Sequence, residues 1–184
     1  ESIIPPIPGV DKAFVKDSHD VLDGKAEVTG NVVVIGGGMV GMETAEYLAE
    51  KGAKVSVLEM LPDICSDMGT TRKICMGEEI QKSGIIPVTS VKVTEIGDNV
   101  VIGEKDGEKV EFPCDTAVLA IGAKKRDGSA LAETCYKNGI GYFEIGDAAM
   151  ARRAINATRE AMDAALTFDR EDVHRDVSKP KELV

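Results

Sequence analysis

Hydrophobic residues fall along this chain in two rhythms, short continuous or alternating runs and stretches spaced at three and four, and their succession predicts an α/β fold. Val32, Val33, Val34 and Ile35 form a run of strand type. Over about 39–51, Val40, Thr44 and Leu48, with Ala45 and Ala49 beside them, repeat at helical spacing, and Gly52 stands where a helix C′ residue belongs. A second strand is expected over 53–58. A helix follows over about 70–83, with Ser66 or Asp67 near its start and Gly84 closing it, and then a third parallel strand at Ile85, Ile86 and Val88. Beyond Val91 the segments shorten and alternate. Stretches 91–96, 100–104 and 109–112, separated by Gly97-Asp98-Asn99 and Lys105-Asp106-Gly107-Glu108, predict an antiparallel meander with hairpin turns. Residues 115–122, DTAVLAIG, read as an apolar strand returning to the parallel sheet.

The flanks are less regular. Residues 3–9, IIPPIPG, predict a connecting segment, because proline fixes φ and holds its predecessor extended. A chain opening on Glu1 just before such a segment is expected to be a piece of a longer polypeptide. Residues 10–29 read as a short helix or turn, and 131–139 carry no clear pattern. Tyr142-Phe143-Glu144-Ile145 predicts a short strand before Gly146-Asp147 and a helix over about 148–168. The charged stretch 169–184, with Pro180, is expected to fray.

Composition narrows the partners. Lys+Arg 22 against Asp+Glu 32 leaves a net charge of −10, which disfavours nucleic acid and anionic membrane surfaces. No apolar run approaches the roughly 20 residues of a membrane span, so a cytoplasmic protein is expected. Cys65, Cys75, Cys114 and Cys135 form no C-x-x-C pair, and His19 and His174 lie near opposite ends, so reduced thiols and no metal site are expected. No residue stands out as a catalytic acid, base or nucleophile.

The candidate chemistry lies where the first strand meets the first long helix. Gly36, Gly38 and Gly41 have G-x-G-x-x-G spacing, with Gly37, Met39 and Val40 between them. In such a turn the first glycine permits the bend, the second lets backbone approach a pyrophosphate, and the third lets the helix pack on the strand. The phosphates then lie against free N–H groups at the positive end of a helix. Glu59 ends the second strand, about 20 residues beyond the glycines, where a carboxylate accepts hydrogen bonds from ribose hydroxyls. A 2′-phosphate would be repelled by Glu59, and no Lys or Arg occurs between Met60 and Thr71, so NAD(H) is favoured over NADP(H). Arg72 is the nearest contrary candidate, although Arg72 and Lys73 also fit a solvated helix face. Ala120 and Gly122 fit either a plain buried strand end or a low cleft wall under a flat cofactor. Asp147 fits an ordinary helix N-cap.

Four features resemble the two-dinucleotide-domain flavoprotein oxidoreductases, and among them the NADH:flavin oxidoreductases of the 2-enoate reductase and 2,4-dienoyl-CoA reductase family. These are IPPIPG, VVVIGGGMVGMETA followed by Glu59, the meander ending in DTAVLAIG, and YFEIGDA before the last helix. The resemblance covers about residues 5–168. It implies a Rossmann-like parallel sheet with helices on one face and the meander on the other. It also implies an NAD(H)-binding domain at 29–125 inserted into an FAD domain that is incomplete here, with 1–28 and 126–168 as its trailing pieces and 169–184 as a tail. By the same resemblance Gly36, Gly38, Met39, Val40 and Gly41 hold pyrophosphate, Glu59 holds ribose, Glu43 lies toward the nicotinamide, and Asp147 holds the flavin ribityl and phosphate region. Glu43 also fits an N-terminal helix acid favoured by the macrodipole. Ala161 departs from the glycine usual after the glutamate. The implied parent passes a hydride from NADH to FAD, then electrons through a 4Fe-4S cluster to FMN and an enoate or enoyl-thioester double bond. Cluster and FMN barrel are expected only in domains outside this chain. Two alternatives stay open: an NADH oxidase or a disulfide or ferredoxin reductase, and a non-catalytic dinucleotide-sensing module.

Overall fold

The computed structural model describes residues 1–66 and 68–167, and the chain divides into two units, residues 2–122 and residue 1 with 123 onward. In the larger unit the opening segment leads into β1 (Val15–Asp17) and the short α1 (Ser18–Leu22), which Asp17 caps by accepting from His19 N–H. Next come β2 (Asn31–Ile35), α2 (Met39–Glu50), β3 (Lys54–Leu58), α3 (Thr70–Ser83) and β4 (Ile86–Val88). The meander is β5 (Lys92–Ile96), β6 (Val100–Lys105) and β7 (Glu108–Pro113), and β8 (Thr116–Leu119) closes the unit. Five strands form one parallel sheet in the order β1-β8-β2-β3-β4.

Strand register explains why both faces are covered. Side chains of paired residues in a parallel ladder point the same way and alternate along each strand. Val32 and Val34 of β2, Val55 and Val57 of β3 and Val118 of β8 therefore share one face, where they pack with Val21 of α1, Met42, Ala45 and Leu48 of α2, and Met76 of α3. Val33, Ile35, Leu58, Ala117 and Leu119 share the other, against Val91, Ile96, Val101 and Phe112 around the meander, with Ile7, Val10 and Phe14 from the opening segment. Val34, Val57 and Val118 are fully buried, each stabilising the fold by about 1.5–3 kcal/mol relative to exposure. The α/β architecture is as the sequence pattern predicts, and its layering, with helices on one face and the meander on the other, is as the family resemblance implies.

Several local expectations change. Residues 10–29 hold a strand as well as a helix: β1 pairs with β8, whose residues lie some hundred positions on, so no local periodicity marks it. Gly69, not Ser66, stands at the N-cap of α3, while Asp67 lies outside the described residues. Gly84 closes α3 in the left-handed conformation, φ +71°, as expected.

The smaller unit differs more. Residues expected to be unpatterned form α4 (Ser129–Lys137), which buries only Ala132, so its hydrophobic stripe is weak. Residues 142–145 form no strand; no strand among the described residues offers a ladder partner. Gly146–Ala148 is one turn of 3-10 helix, and α5 runs Ala154–Thr167, starting six residues later than expected. Phe168 and the charged stretch 169–184 lie outside the described residues. Within α5, Ile155, Met162 and Leu166 are exposed.

Candidate functional site

Between β2 and β8 the strand order reverses, and in open α/β sheets ligands bind outside the carboxyl ends of the strands at such a switch point. The glycine turn leaves β2 there. Gly36 has φ +110°, and a Cβ on it would lie 2.4 Å from the carbonyl oxygen of Ala120, just past β8. Gly41, in the first turn of α2, would set a Cβ 1.9 Å from the carbonyl oxygen of Gly36, so the helix rests directly on the turn. Gly38, the N-cap, is different: it has φ −73° and a Cβ on it would meet no protein atom within 4 Å. Its cradle is open on the side where α2 begins.

No side chain caps α2, and the amides of its first turn have no partner within the helix. Met39 and Val40 occupy this turn and are partly exposed, at 38% and 37%. Together the first-turn N–H groups and the helix dipole give the opening a positive character suited to phosphate. Glu43 is exposed and sits beyond the first turn, where the dipole has faded, so the macrodipole does not explain it.

Glu59 stands immediately after β3. Its Oε2 accepts a 2.6 Å hydrogen bond from Gly37 N–H, and its Oε1 accepts one of 2.8 Å from Leu61 N–H. Its own backbone is fixed on both sides, N–H to the Val88 carbonyl at 3.0 Å and carbonyl to Val91 N–H at 2.9 Å. Gly37 is needed for this arrangement, since a Cβ there would lie 2.9 Å from the Cβ of Glu59 and 3.0 Å from Cγ2 of Ile64. Cys65 N–H donates to the Gly37 carbonyl at 2.8 Å. The loop after β3 thus folds back over the glycine turn.

Ala120 is 8% exposed and packs in the helix-side core, 3.4 Å from where a Cβ on Gly41 would stand, so its small size is accounted for by the seating of α2. Gly122 is exposed with φ +105°, and its carbonyl accepts from Ile3 N–H at 3.0 Å. Asp147 belongs to the smaller unit. It does not cap α5; its Oδ1 accepts from Arg152 N–H at 3.2 Å, and Glu160 accepts from Gly146 N–H at 2.7 Å while pairing with Arg152. The Gly146 N–H, followed by the charge of Arg152, holds the Glu160 carboxyl below the usual carboxylate range. A Cβ on Gly146 would lie 3.0 Å from that of Ala157.

Sequence reasoning passed over Asp63 and Ile64. No periodicity marks them, because the loop that carries them is irregular. Lys73, expected on a solvated face, is part-buried and ion-paired with Asp63 at 2.5 Å, whereas Arg72 is exposed. A cavity of about 580 Å³ opens at the other ends of the strands, beside Asn31, Lys54 and Ser83, away from the glycine turn. Among the described residues no group of three His, Cys, Asp or Glu is placed to hold a metal, and no helix is long and apolar enough to cross a membrane.

Residues 1–161 match the pyridine nucleotide-disulphide oxidoreductase family. This chain belongs to that family. A bilirubin reductase of Mediterraneibacter gnavus (strain CC55_001C) is 44% identical over 123 residues, 67% of this chain and 19% of the relative. An NADH oxidase of Thermoanaerobacter brockii is 41% identical over 170 residues, 90% of this chain and 26% of the relative. The solved complex of 2-naphthoyl-CoA reductase with 2-naphthoyl-CoA is 31% identical with a TM-score of 0.80, covering 87% of this chain and 24% of that one. The chain therefore spans about a fifth to a quarter of the length of these oxidoreductases.

Proposed function

We propose that this chain is the NAD(H)-binding module of a flavin-dependent oxidoreductase whose parent passes a hydride from NADH to FAD and reduces an activated carbon–carbon double bond of 2-enoate or enoyl-CoA type. The observation that carries the reading is the open cradle at Gly38, beside first-turn amides of α2 that have no partner within the helix, and flanked by a Glu59 carboxylate already oriented by Gly37 and Leu61. Gly38, Met39, Val40 and Gly41 would hold the pyrophosphate, and Glu59 would accept from the ribose hydroxyls. Glu43 would lie toward the nicotinamide, with Ala120 and Gly122 as the low wall of the cleft. NAD(H) supplies the hydride when bound, and transfer to a flavin needs alignment rather than an acid or base, so these residues bind and orient.

The chain has one complete G-x-G-x-x-G, so the residues present do not make up an FAD site. Residues 126–168 are read as a trailing piece of the flavin domain, with Asp147 toward its ribityl and phosphate region, whereas β1 and α1, within the stretch 1–28 expected to belong there too, are part of the larger unit and β1 is a strand of its parallel sheet. The carbon–carbon double bond is supported by the likeness to 2-naphthoyl-CoA reductase, whose named ligand is an acyl-thioester. A second reading, an NADH oxidase, is favoured by the 41% identity to the Thermoanaerobacter brockii protein.

Titrating the purified chain with NADH, NADPH and FAD by fluorescence tests the proposal. The expected result is weak to moderate NADH binding, weaker NADPH binding and no turnover. Steady NADH oxidation by the chain alone would defeat the reading as a module.

A further inference from the structure

The loop from Glu59 to Cys65 touches the candidate dinucleotide site at both of its ends. Leu61 N–H binds the Glu59 carboxylate, while Ile64 lies against Gly37 and Cys65 N–H binds the Gly37 carbonyl. Asp63 stands between these anchors, two residues from Leu61, so at most about 7 Å of chain separates their Cα atoms. Its carboxylate is occupied: Oδ2 lies 2.5 Å from Nζ of Lys73 on α3. The lysine side chain is 30% exposed and the aspartate 60%, so the lysine is the more enclosed partner. Arg72, the neighbouring cation, is exposed, and its charge acts instead on Glu46 of α2.

Resting on the dinucleotide reading above, we propose that Asp63 is a specificity-determining residue that acts through Lys73. By pairing with the ammonium it withholds from the adenosine ribose the cation that a 2′-phosphate would need. The site then rejects NADP(H) by two means. Glu59 repels the phosphate directly, and Asp63 keeps its natural counter-charge engaged. Lys73 is in this sense a latent phosphate ligand. Removing the Asp63 charge while leaving Glu59 in place releases it, because a flexible four-carbon stem lets the ammonium turn toward a new anion.

The test measures dissociation constants of NADH and NADPH for the full chain and for Asp63→Asn, Asp63→Glu, Lys73→Gln and Asp63→Asn/Lys73→Gln. Thermal melting of each variant confirms folding, which the exposure of Asp63 favours. Asp63→Asn is expected to tighten NADPH about five- to tenfold, of the order expected for freeing one counter-charge near a phosphate, and to leave NADH within about twofold. Asp63→Glu should behave as the unaltered chain, Lys73→Gln alone should change neither nucleotide, and the double variant should lose the NADPH gain. Asp63→Asn leaving NADPH unchanged, or weakening both nucleotides alike, overturns the inference and shows only a loop-holding role. An NADPH gain that survives in the double variant overturns the part played by Lys73. Failure of the unaltered chain to bind NADH overturns the dinucleotide reading and this inference with it, and is distinguished from failure of the inference alone by that NADH measurement.

Discussion

Gly37 N–H donates a 2.6 Å hydrogen bond to Oε2 of Glu59, tying the turn after β2 to the carboxylate at the end of β3. The two ends of the site, one suited to phosphate and one to ribose, are thereby a single unit. A change in one is felt in the other.

Glu59→Ala is accordingly expected to do two things. NADH affinity should fall about tenfold or more, since charge-assisted hydrogen bonds contribute about 1.5–3 kcal/mol each. Stability should fall by about 1–2 kcal/mol, because Gly37 and Leu61 N–H lose their acceptor. Calorimetric titration and urea denaturation read the two effects separately. An unchanged NADH affinity would remove Glu59 from the site.

Substitutions at Gly38 and Gly41 should separate binding from folding. In Gly38→Ala the new methyl meets no protein atom, so stability should drop by no more than about 1 kcal/mol, the loss of a favourable N-cap residue, while NADH binding is lost. In Gly41→Ala the methyl collides with the Gly36 carbonyl, and the cost should exceed about 3 kcal/mol or prevent folding. Thermal melting beside NADH fluorescence checks both. NADH binding by Gly38→Ala at the unaltered affinity would contradict a pyrophosphate at that cradle.

The four thiols should react very unequally. Cys75 is exposed, whereas Cys114 is 4% exposed and burial, followed by the charge of Asp115, pushes its pKa up to about 11. At pH 8 an aromatic disulfide reagent should label Cys75 within minutes and Cys114 only on unfolding. The unfolded chain releases the Cys114 proton near pH 8.5 and the folded chain near 11, so stability should decline as pH rises through that interval. Early labelling of Cys114, located by peptide mass spectrometry, would contradict its burial.

Acidic side chains crowd the junction of α2 and α3. Burial, then the charges of Glu79 and Glu43, raise the Glu46 carboxyl above its usual range, against the opposing charge of Arg72. Its Oε1 is buried with no hydrogen-bond partner among the described residues. The folded chain therefore takes up the Glu46 proton at higher pH than the unfolded chain. Stability contributed here should rise on acidification from neutral pH, until the unfolded glutamate also protonates near about pH 4.3. Glu79→Gln should add about 0.5 kcal/mol at pH 7 and flatten that dependence, measured by urea denaturation across the pH range. Equal slopes in both proteins would refute the coupling.

Much of the larger unit was legible because its signals are local. The run Val32–Ile35, the helical spacing of Val40, Thr44 and Leu48 and the turns of the meander each lie within one element, and each element formed close to where it was expected. The short β1 escaped notice because its reason for being a strand is β8, far along the chain. The smaller unit was read less well. α4 buries one residue, and no strand among the described residues pairs with 142–145, so periodicity had little to report.

The sequence alone determined the strand–turn–helix with its glycines, the acid after the second strand and the alternating α/β order, since these follow from backbone conformation and side-chain periodicity within short windows. Only the tertiary structure decided which glycines are needed for packing and which leaves open space. Gly36, Gly37 and Gly41 are filled against Ala120, Glu59 with Ile64, and Gly36 itself, while Gly38 faces none of them. It alone also decided that Glu59 is held by Gly37 and Lys73 by Asp63. Those relations join different elements through irregular loops, and a hydrogen bond or ion pair between such positions leaves no period along the chain.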